Sequence, residues 1–389
     1  HCQRHLKKNL SSEQLHKLYQ LTKGLPYLIQ KYISQINYFF QLQQKQINHE
    51  LLNEFNLKEL AIILELLEIK WSLSHWENLA KQLAYNREYQ QSYQVCIKFS
   101  VQPFFDVYQN FNLYYLGDYE TVLNNTLKNI KRYSTKKEIL ALNYSIRGLA
   151  LLSTNSPQEA LECQKKSLSL SIQVQDKDLI GQSYWCLSFV YFRLSQYKPA
   201  KKFILLAIQY LESSQGFYYL GFSYLNAFAV EAQLKNYQEA QVYLEKTKQL
   251  TRNYHNFYIY SAYLRNQAWL SSYNGDLQQA IELYKNSAQL LASNPKNNDY
   301  IISRIALAEI YLVENRLKDT NIIIQDLKLT ISSQNHVLFS RVQNLEISFY
   351  LQTKDVNKAE EIHLSTKNIN SYSPTDRIER ELQLAEIAL

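Results

Sequence analysis

Glycine, proline, cysteine and methionine are all scarce in this chain of 389 residues, which has seven glycines, six prolines, four cysteines and no methionine. Collagen-like chains and Gly- or Pro-rich disordered chains need the residues that are missing. Tight βα turns, phosphate loops and β-hairpins rely on glycine for positive φ. A doubly wound sheet with nucleotide loops is therefore excluded, and long helices joined by short polar turns are the economical alternative. The cysteines Cys2, Cys96, Cys163 and Cys186 show no paired spacing, which argues against a secreted disulfide scaffold and for a reducing cytoplasm. No apolar run reaches the length of a membrane span: the most apolar stretch, Leu60 to Ile69, is interrupted by Glu65 and Glu68, so neither a span nor a signal peptide is expected. A start at His1 reads as a fragment or a processed product. A one-residue phase slip is the trace that a dropped methionine would leave.

What the chain does have is apolar and aromatic. It is 46% hydrophobic and 20% charged, with thirty-two tyrosines and a net charge of +7. That is enough to bury a sizeable core, and the length suits two or three domains or one extended array.

Short polar breaks recur along the chain: LGDYETV, NSPQEA, SQYKPA, KNYQEA, NGDLQQA, NRLKDT and KDVNKA. Their last residues are Val122, Ala160, Ala200, Ala240, Ala280, Thr320 and Ala359, so the steps between them are 38, 40, 40, 40, 40 and 39 residues. Other columns keep the same step. Three positions before this marker stand mostly large apolar residues, among them Tyr119, Tyr197, Tyr237 and Leu277. Seven positions after it stand Ser167, Ala207, Thr247 and Ser287, and twelve before it Gly148, Ser188, Ala268 and Ala308. Small residues let helices cross closely while large ones fill the adjacent groove. Each unit reads as helix A, a short turn, then helix B with the marker early in it. The fourth unit fits this register better if one residue is missing between Ala227 and Tyr237, and the last two units carry Thr320 and His363 as atypical residues.

This pattern resembles the tetratricopeptide-repeat family in its longer, maltose-regulator-like form of about 40 residues per repeat. The resemblance covers roughly residues 100 to 370. It implies an all-α fold, a right-handed superhelix of about seven helical hairpins with the A helices lining a concave surface. One hairpin cannot bury its own apolar face, so stability becomes a sum of nearest-neighbour interfaces.

Residues 1–100 do not follow the step. Ser11-Ser12-Glu13 offers an N-cap, Gly24 ends one helix and Pro26 opens the next, and a Ser74 cap precedes a further helix. This order resembles the tail of the regulatory ATPases called STAND proteins, in which a helical lid with a G-x-P motif precedes a winged helix and a repeat array. The resemblance implies that Gly24-Leu25-Pro26 is the G-x-P, with its proline near an adenine, and that Leu57 to Leu83 is the winged-helix core. The alternative is that Gly24-Leu25-Pro26 is simply a helix-to-helix turn. The divisions expected are a lid-like region 1–50, a winged-helix-like or atypical helical region 51–100, repeats over 101–372 and a C-terminal helix over 373–389.

Nothing in the sequence argues for catalysis. There is no G-x-x-x-x-G-K-[ST], H-E-x-x-H, G-x-S-x-G or C-x-x-C, so no enzyme, cofactor or metal is expected. His1, Cys2 and His5 lack a fourth ligand, the other histidines are isolated, and Cys163 and Cys186 fall where small buried thiols are ordinary. Lys128, Lys131, Arg132, Lys136 and Lys137, and again Lys198, Lys201 and Lys202, read as solvated helix faces rather than a nucleic-acid site.

Ten tyrosines lie in or beside the A helices: Tyr184, Tyr191, Tyr218, Tyr219, Tyr224, Tyr258, Tyr260, Tyr263, Tyr300 and Tyr311. Most should pack A against B, with about a third exposed in the groove as broad contact area with a polar tip. The groove candidates are Tyr184, Tyr191, Tyr224, Tyr260, Tyr263 and Tyr300, with Arg265 and Arg304. The function expected is recognition, as the sensor or scaffold module of a bacterial signalling or transcriptional regulator. A stand-alone adaptor or peptide-pheromone receptor is one alternative, an accessory subunit of an enzyme complex another. The partner expected is a protein, peptide or small-molecule effector, with self-association as a further option and neither nucleic acid nor membrane involved.

Overall fold

The computed structural model describes residues 73–365 apart from short breaks at 86–88, 100, 155, 215–216, 255–256, 293–294, 296 and 332–335, together with Glu13, His16 and Tyr19. The G-x-P residues Gly24, Leu25 and Pro26, the whole 1–50 region, His1, Cys2 and His5, and the 373–389 helix lie outside the described residues. Among the described residues every regular element is an α-helix, and no helix is long and apolar enough to cross a membrane. Sixteen helices follow one another among the described residues: α1 (Leu73–Tyr85), α2 (Tyr89–Lys98), α3 (Pro103–Leu116), α4 (Tyr119–Arg132), α5 (Lys137–Ser153), α6 (Pro157–Val174), α7 (Lys177–Arg193) and α8 (Tyr197–Ser214). Then come α9 (Phe217–Gln233), α10 (Tyr237–Tyr254), α11 (Phe257–Tyr273), α12 (Leu277–Leu290), α13 (Asn298–Val313), α14 (Leu317–Thr330), α15 (His336–Gln352) and α16 (Val356–Ser365). The chain divides into two compact units, residues 1–112 and 113–389, with the division falling within the sequence of α3.

In the first unit, α1 and α2 form a hairpin. The Ser92 hydroxyl donates to the Ala80 carbonyl at 2.8 Å and accepts from Asn112 Nδ2 at 2.8 Å. Phe99 stacks on Phe105 at 4.8 Å, and Phe104 on Tyr108 at 4.4 Å. These two helices are the described part of the 51–100 region, expected to be winged-helix-like or atypically helical.

The second unit is a stack of A–B hairpins, an α-solenoid, with A helices α5, α7, α9, α11, α13 and α15 each followed by its B helix. The A-to-B turns are built alike. Five positions before six of the seven markers the backbone enters the left-handed region, at Gly117, Ser195, Lys235, Gly275, Asn315 and Lys354, with φ between 57° and 88°. The next amide bonds back to the carbonyl five residues earlier, as Gln196 N to Tyr191 O, Asn236 N to Glu231 O and Asp276 N to Ser271 O, all at 2.9 Å. This is a Schellman closure, which satisfies carbonyls that the helix end leaves open. Asp118 and Asp276 then cap α4 and α12 through the amides of Thr121 and Gln279. Only two of these six left-handed positions are glycine. That is how the fold tolerates so few.

The small-residue columns sit where helices cross. Ser167, Ala207, Thr247 and Ser287 are fully buried. Ser167 Oγ reaches back to the Ala141 carbonyl of its own hairpin at 2.8 Å and forward to Ser183 Oγ of the next at 3.3 Å. Three repeats later, Ser287 does the same with Ser261 and Ser303, each at 2.9 Å. A larger side chain here would push three helices apart.

The fourth unit needs no extra residue. Helix α9 ends at Gln233 and α10 begins at Tyr237, the same interval as Arg193 to Tyr197 and Tyr273 to Leu277. Phe228 simply stands in the column of small residues, and its bulk is absorbed by edge-on contact with Trp269 of α11 at 5.9 Å. Thr320 and His363, atypical in sequence, are both buried.

A candidate recognition surface on the A helices

Each A helix has two working faces. One face packs on B helices and the other meets the A helices of adjacent hairpins. The second face follows a register of its own. Fifteen positions before the marker, a residue meets the one twenty-one positions before the next marker. Trp185 lies 5.8 Å from Tyr219, Leu225 packs with Ile259, Arg265 pairs with Asp299 at 2.7 Å, and Ile305 shares a cluster with Leu338. The same contact is thus aromatic, aliphatic, ionic and aliphatic along the stack.

Around the aromatic contact the A-helix face is rich in half-buried rings. Trp185 stacks on Phe189 at 6.0 Å and lies 6.3 Å from Phe222, which in turn meets Tyr218 at 5.0 Å. Trp269 continues the surface from α11, stacked on the exposed Tyr273 at 5.7 Å. Trp185 Nε1 is buried with no hydrogen-bond partner among the described residues. Toward α13 and α15 the face becomes charged. Arg265–Asp299 is followed by Arg341–Glu309 at 3.5 Å. The surface therefore runs from aromatic to ionic along the stack, offering apolar area at one end and paired charges at the other.

The tyrosines singled out in the sequence divide between the two faces. Tyr184 turns to α8, stacking on Phe203 at 6.1 Å and meeting Tyr210 at 5.7 Å, and burial raises its phenol above the ordinary value. Tyr191 stacks on the other side of that contact, 5.3 Å from Phe203. The Tyr224 hydroxyl donates to Glu212 Oε1 on α8 at 2.7 Å, with Tyr243 of α10 at 6.4 Å. Burial first, then the Glu212 carboxylate, holds its proton tightly. Tyr263 is buried against Ala240 and Leu244 of α10, with Tyr260 stacked beside it at 5.8 Å. Tyr300 packs on the α12–α14 core, and Arg304 reaches Asp326 of α14 at 3.1 Å. Arg265 alone of the eight candidates makes its contact across the A-to-A face. The expectation that a third of the ten A-helix tyrosines are exposed is corrected: only Tyr260, at 39%, is exposed. Their position explains this. Tyr184, Tyr224 and Arg304 all stand sixteen before a marker, a column that points at B helices.

The rings that make the A-helix face, Trp185, Phe189, Phe222 and Trp269, were absent from the candidate set. Their signal lies in position relative to the marker rather than in residue type. Cys96, Cys163 and Cys186 are free and buried. Burial pushes the Cys96 and Cys186 thiols up to about 12, with Ser145 Oγ 3.2 Å from the Cys186 sulfur. Such thiols are packing groups rather than nucleophiles.

No protein-family model matches the sequence, and no curated protein matches it. Solved structures do. A Rap protein complexed with competence and sporulation factor is similar with a TM-score of 0.60 at 12% identity, over 81% of this chain and 90% of that one. NprR in complex with its cognate peptide NprX has a TM-score of 0.56 at 14% identity, over 82% and 99%. The APC/C hetero-tetramer Cut9–Hcn1 has a TM-score of 0.58 at 16% identity, over 96% and 68%. At such identities the likeness establishes the fold alone, a helical-repeat solenoid.

Proposed function

We propose that the repeats are a recognition module that binds an extended peptide or protein segment along the A-helix face. The observation that carries this reading is the half-buried ring surface of Trp185, Phe189, Phe222 and Trp269. Aromatic side chains supply large contact area at low entropic cost, and such anchors dominate binding energy at interfaces. Two solenoids of similar fold are described as complexed with competence and sporulation factor and with a cognate peptide, which supports a peptide as the occupant. The finer reading is that of a sensor array in a larger signalling or transcriptional regulator, working by binding rather than catalysis in the cytoplasm. Occupancy would alter the stacking of adjacent A helices and so the curvature of the array. The similarity to Cut9–Hcn1 supports a second reading, a scaffold for another protein.

Selection from a library of short random peptides, followed by isothermal titration of the selected sequences, tests the proposal. Saturable one-to-one binding that Trp185→Ala weakens about tenfold or more is expected. No selected binder, alongside tight association with another folded protein, would favour the scaffold.

A further inference from the structure

The rings of the A-helix face form two separate groups. The first lies between α7 and α9, where Trp185 meets Tyr219 at 5.8 Å and Phe222 at 6.3 Å. The second lies between α9 and α11. There Trp269 stands edge-on to Phe228 at 5.9 Å and stacks on Tyr273 at 5.7 Å. Tyr237, the first residue of α10, extends that stack and lies 4.4 Å from Tyr273. Tyr273 is 55% exposed, so the second group is open to water. The repeat does not need these rings. Ala229 and Glu309 occupy the position of Trp269 in the flanking hairpins, and Gln233 and Val313 that of Tyr273. Those hairpins close and stack without them, so Trp269 and Tyr273 add apolar area that packing does not demand.

Both groups include a ring of α9, which sets the distance between them. Phe222 and Phe228 are six residues apart, a rise of about 9 Å at about 1.5 Å per residue. Passing from the α7–α9 contact to the α9–α11 contact adds one spacing between helix axes, roughly 8–10 Å. The groups therefore stand about 13 Å apart on a diagonal of the face. An extended chain advances about 3.3 Å per residue, so about four residues bridge them. Side chains at i and i+4 share one face of an extended chain, whereas those at i and i+3 point to opposite faces. An i, i+4 pair thus has both the reach and the direction to engage the two groups together.

We infer that the occupant of the A-helix face is an extended segment carrying bulky apolar side chains at i and i+4, one on each ring group; this rests on the peptide reading of that face. The probes are three fluorescent serine-rich peptides of equal length, with phenylalanine at i alone, at i and i+3, and at i and i+4. Fluorescence anisotropy should show the i, i+4 peptide binding about tenfold or more tighter than the other two. Trp269→Ala and Tyr273→Ala should each reduce it to the affinity of the single-phenylalanine peptide. Tyr273 is exposed, so its variant should keep the wild-type melting curve, which separates a lost contact from misfolding. Equal affinity of the i, i+3 and i, i+4 peptides, or unchanged binding to both variants, would overturn the inference; a loss in Trp185→Ala would then leave the peptide reading standing. Failure of all three peptides to bind, or binding indifferent to Trp185→Ala as well, would overturn both.

Discussion

Arg265 Nη1 lies 2.7 Å from Asp299 Oδ1 across the α11–α13 contact, where the two preceding contacts put Trp185 against Tyr219 and Leu225 against Ile259. An ion pair has replaced an apolar pair at one step of a repeated interface. Both side chains are mostly buried, at 18% and 12% exposed, so each has given up much of its hydration and depends on the other.

Removing one partner should therefore cost more than removing both. Asp299→Asn or Arg265→Ala should each destabilise by about 1–3 kcal/mol. The double change Arg265→Leu with Asp299→Ile, which copies the Leu225–Ile259 step, should recover most of that loss. Urea denaturation of the four proteins measures the coupling. Simple additivity would mean that the pair does not hold the interface.

The left-handed turn positions make a cleaner prediction. Ser195, Lys235 and Lys354 adopt φ values of 57°, 63° and 61°, which costs a residue with a Cβ about 1 kcal/mol. Ser195→Gly or Lys354→Gly should raise stability by up to about 1 kcal/mol, net of the added freedom of the unfolded chain. Gly117→Ala and Gly275→Ala should lower it by a similar amount, although a Cβ at either meets nothing within 4 Å. Thermal melts of these variants separate backbone strain from crowding.

Crowding is tested at Gly181. A Cβ there would stand 2.6 Å from Leu211 Cγ and 2.9 Å from its Cδ2, and Leu211 is fully buried between α7, α8 and α9. Gly181→Ala should cost about 1–3 kcal/mol, in contrast to the usual gain from Gly→Ala inside a helix. A melting temperature at or above wild type would show that the hairpins can separate freely.

How much of this was readable beforehand follows from what each feature depends on. The 40-residue step is legible because Ala160, Ala200, Ala240 and Ala280 must be small to let A and B cross, and chance seldom repeats such a column. The faces of the A helices are not legible from residue type. Tyrosine suits both a core and a groove, and only a position sixteen before the marker shows that Tyr184 and Tyr224 point at B helices. Left-handed turns stay hidden where serine, asparagine or lysine occupies them. The Arg265–Asp299 pair, 34 residues apart, becomes visible only once the A-to-A register is known.

Alkaline pH should act through the buried thiols and phenols. Burial raises Cys96 and Cys186 from 9.0 to about 12, and Tyr284 from 10.0 to about 12. Below pH 9 both the folded and unfolded chains keep these protons, and the contribution to stability is fully present. Between 9 and 12 the unfolded chain releases them first, so it binds fewer protons and stability falls as pH rises. Circular-dichroism melts should decline steadily across that window. A thiol reagent at pH 8 should label Cys96 and Cys186 only after denaturant is added.

The account rests on the A-helix face being the binding surface. Titration of one selected peptide against wild type, Trp185→Ala, Phe222→Ala and the B-facing Tyr184→Phe tests this most directly. Loss of affinity of about tenfold or more in the first two variants, with Tyr184→Phe unchanged, is the predicted result. Wild-type affinity in Trp185→Ala and Phe222→Ala would contradict it.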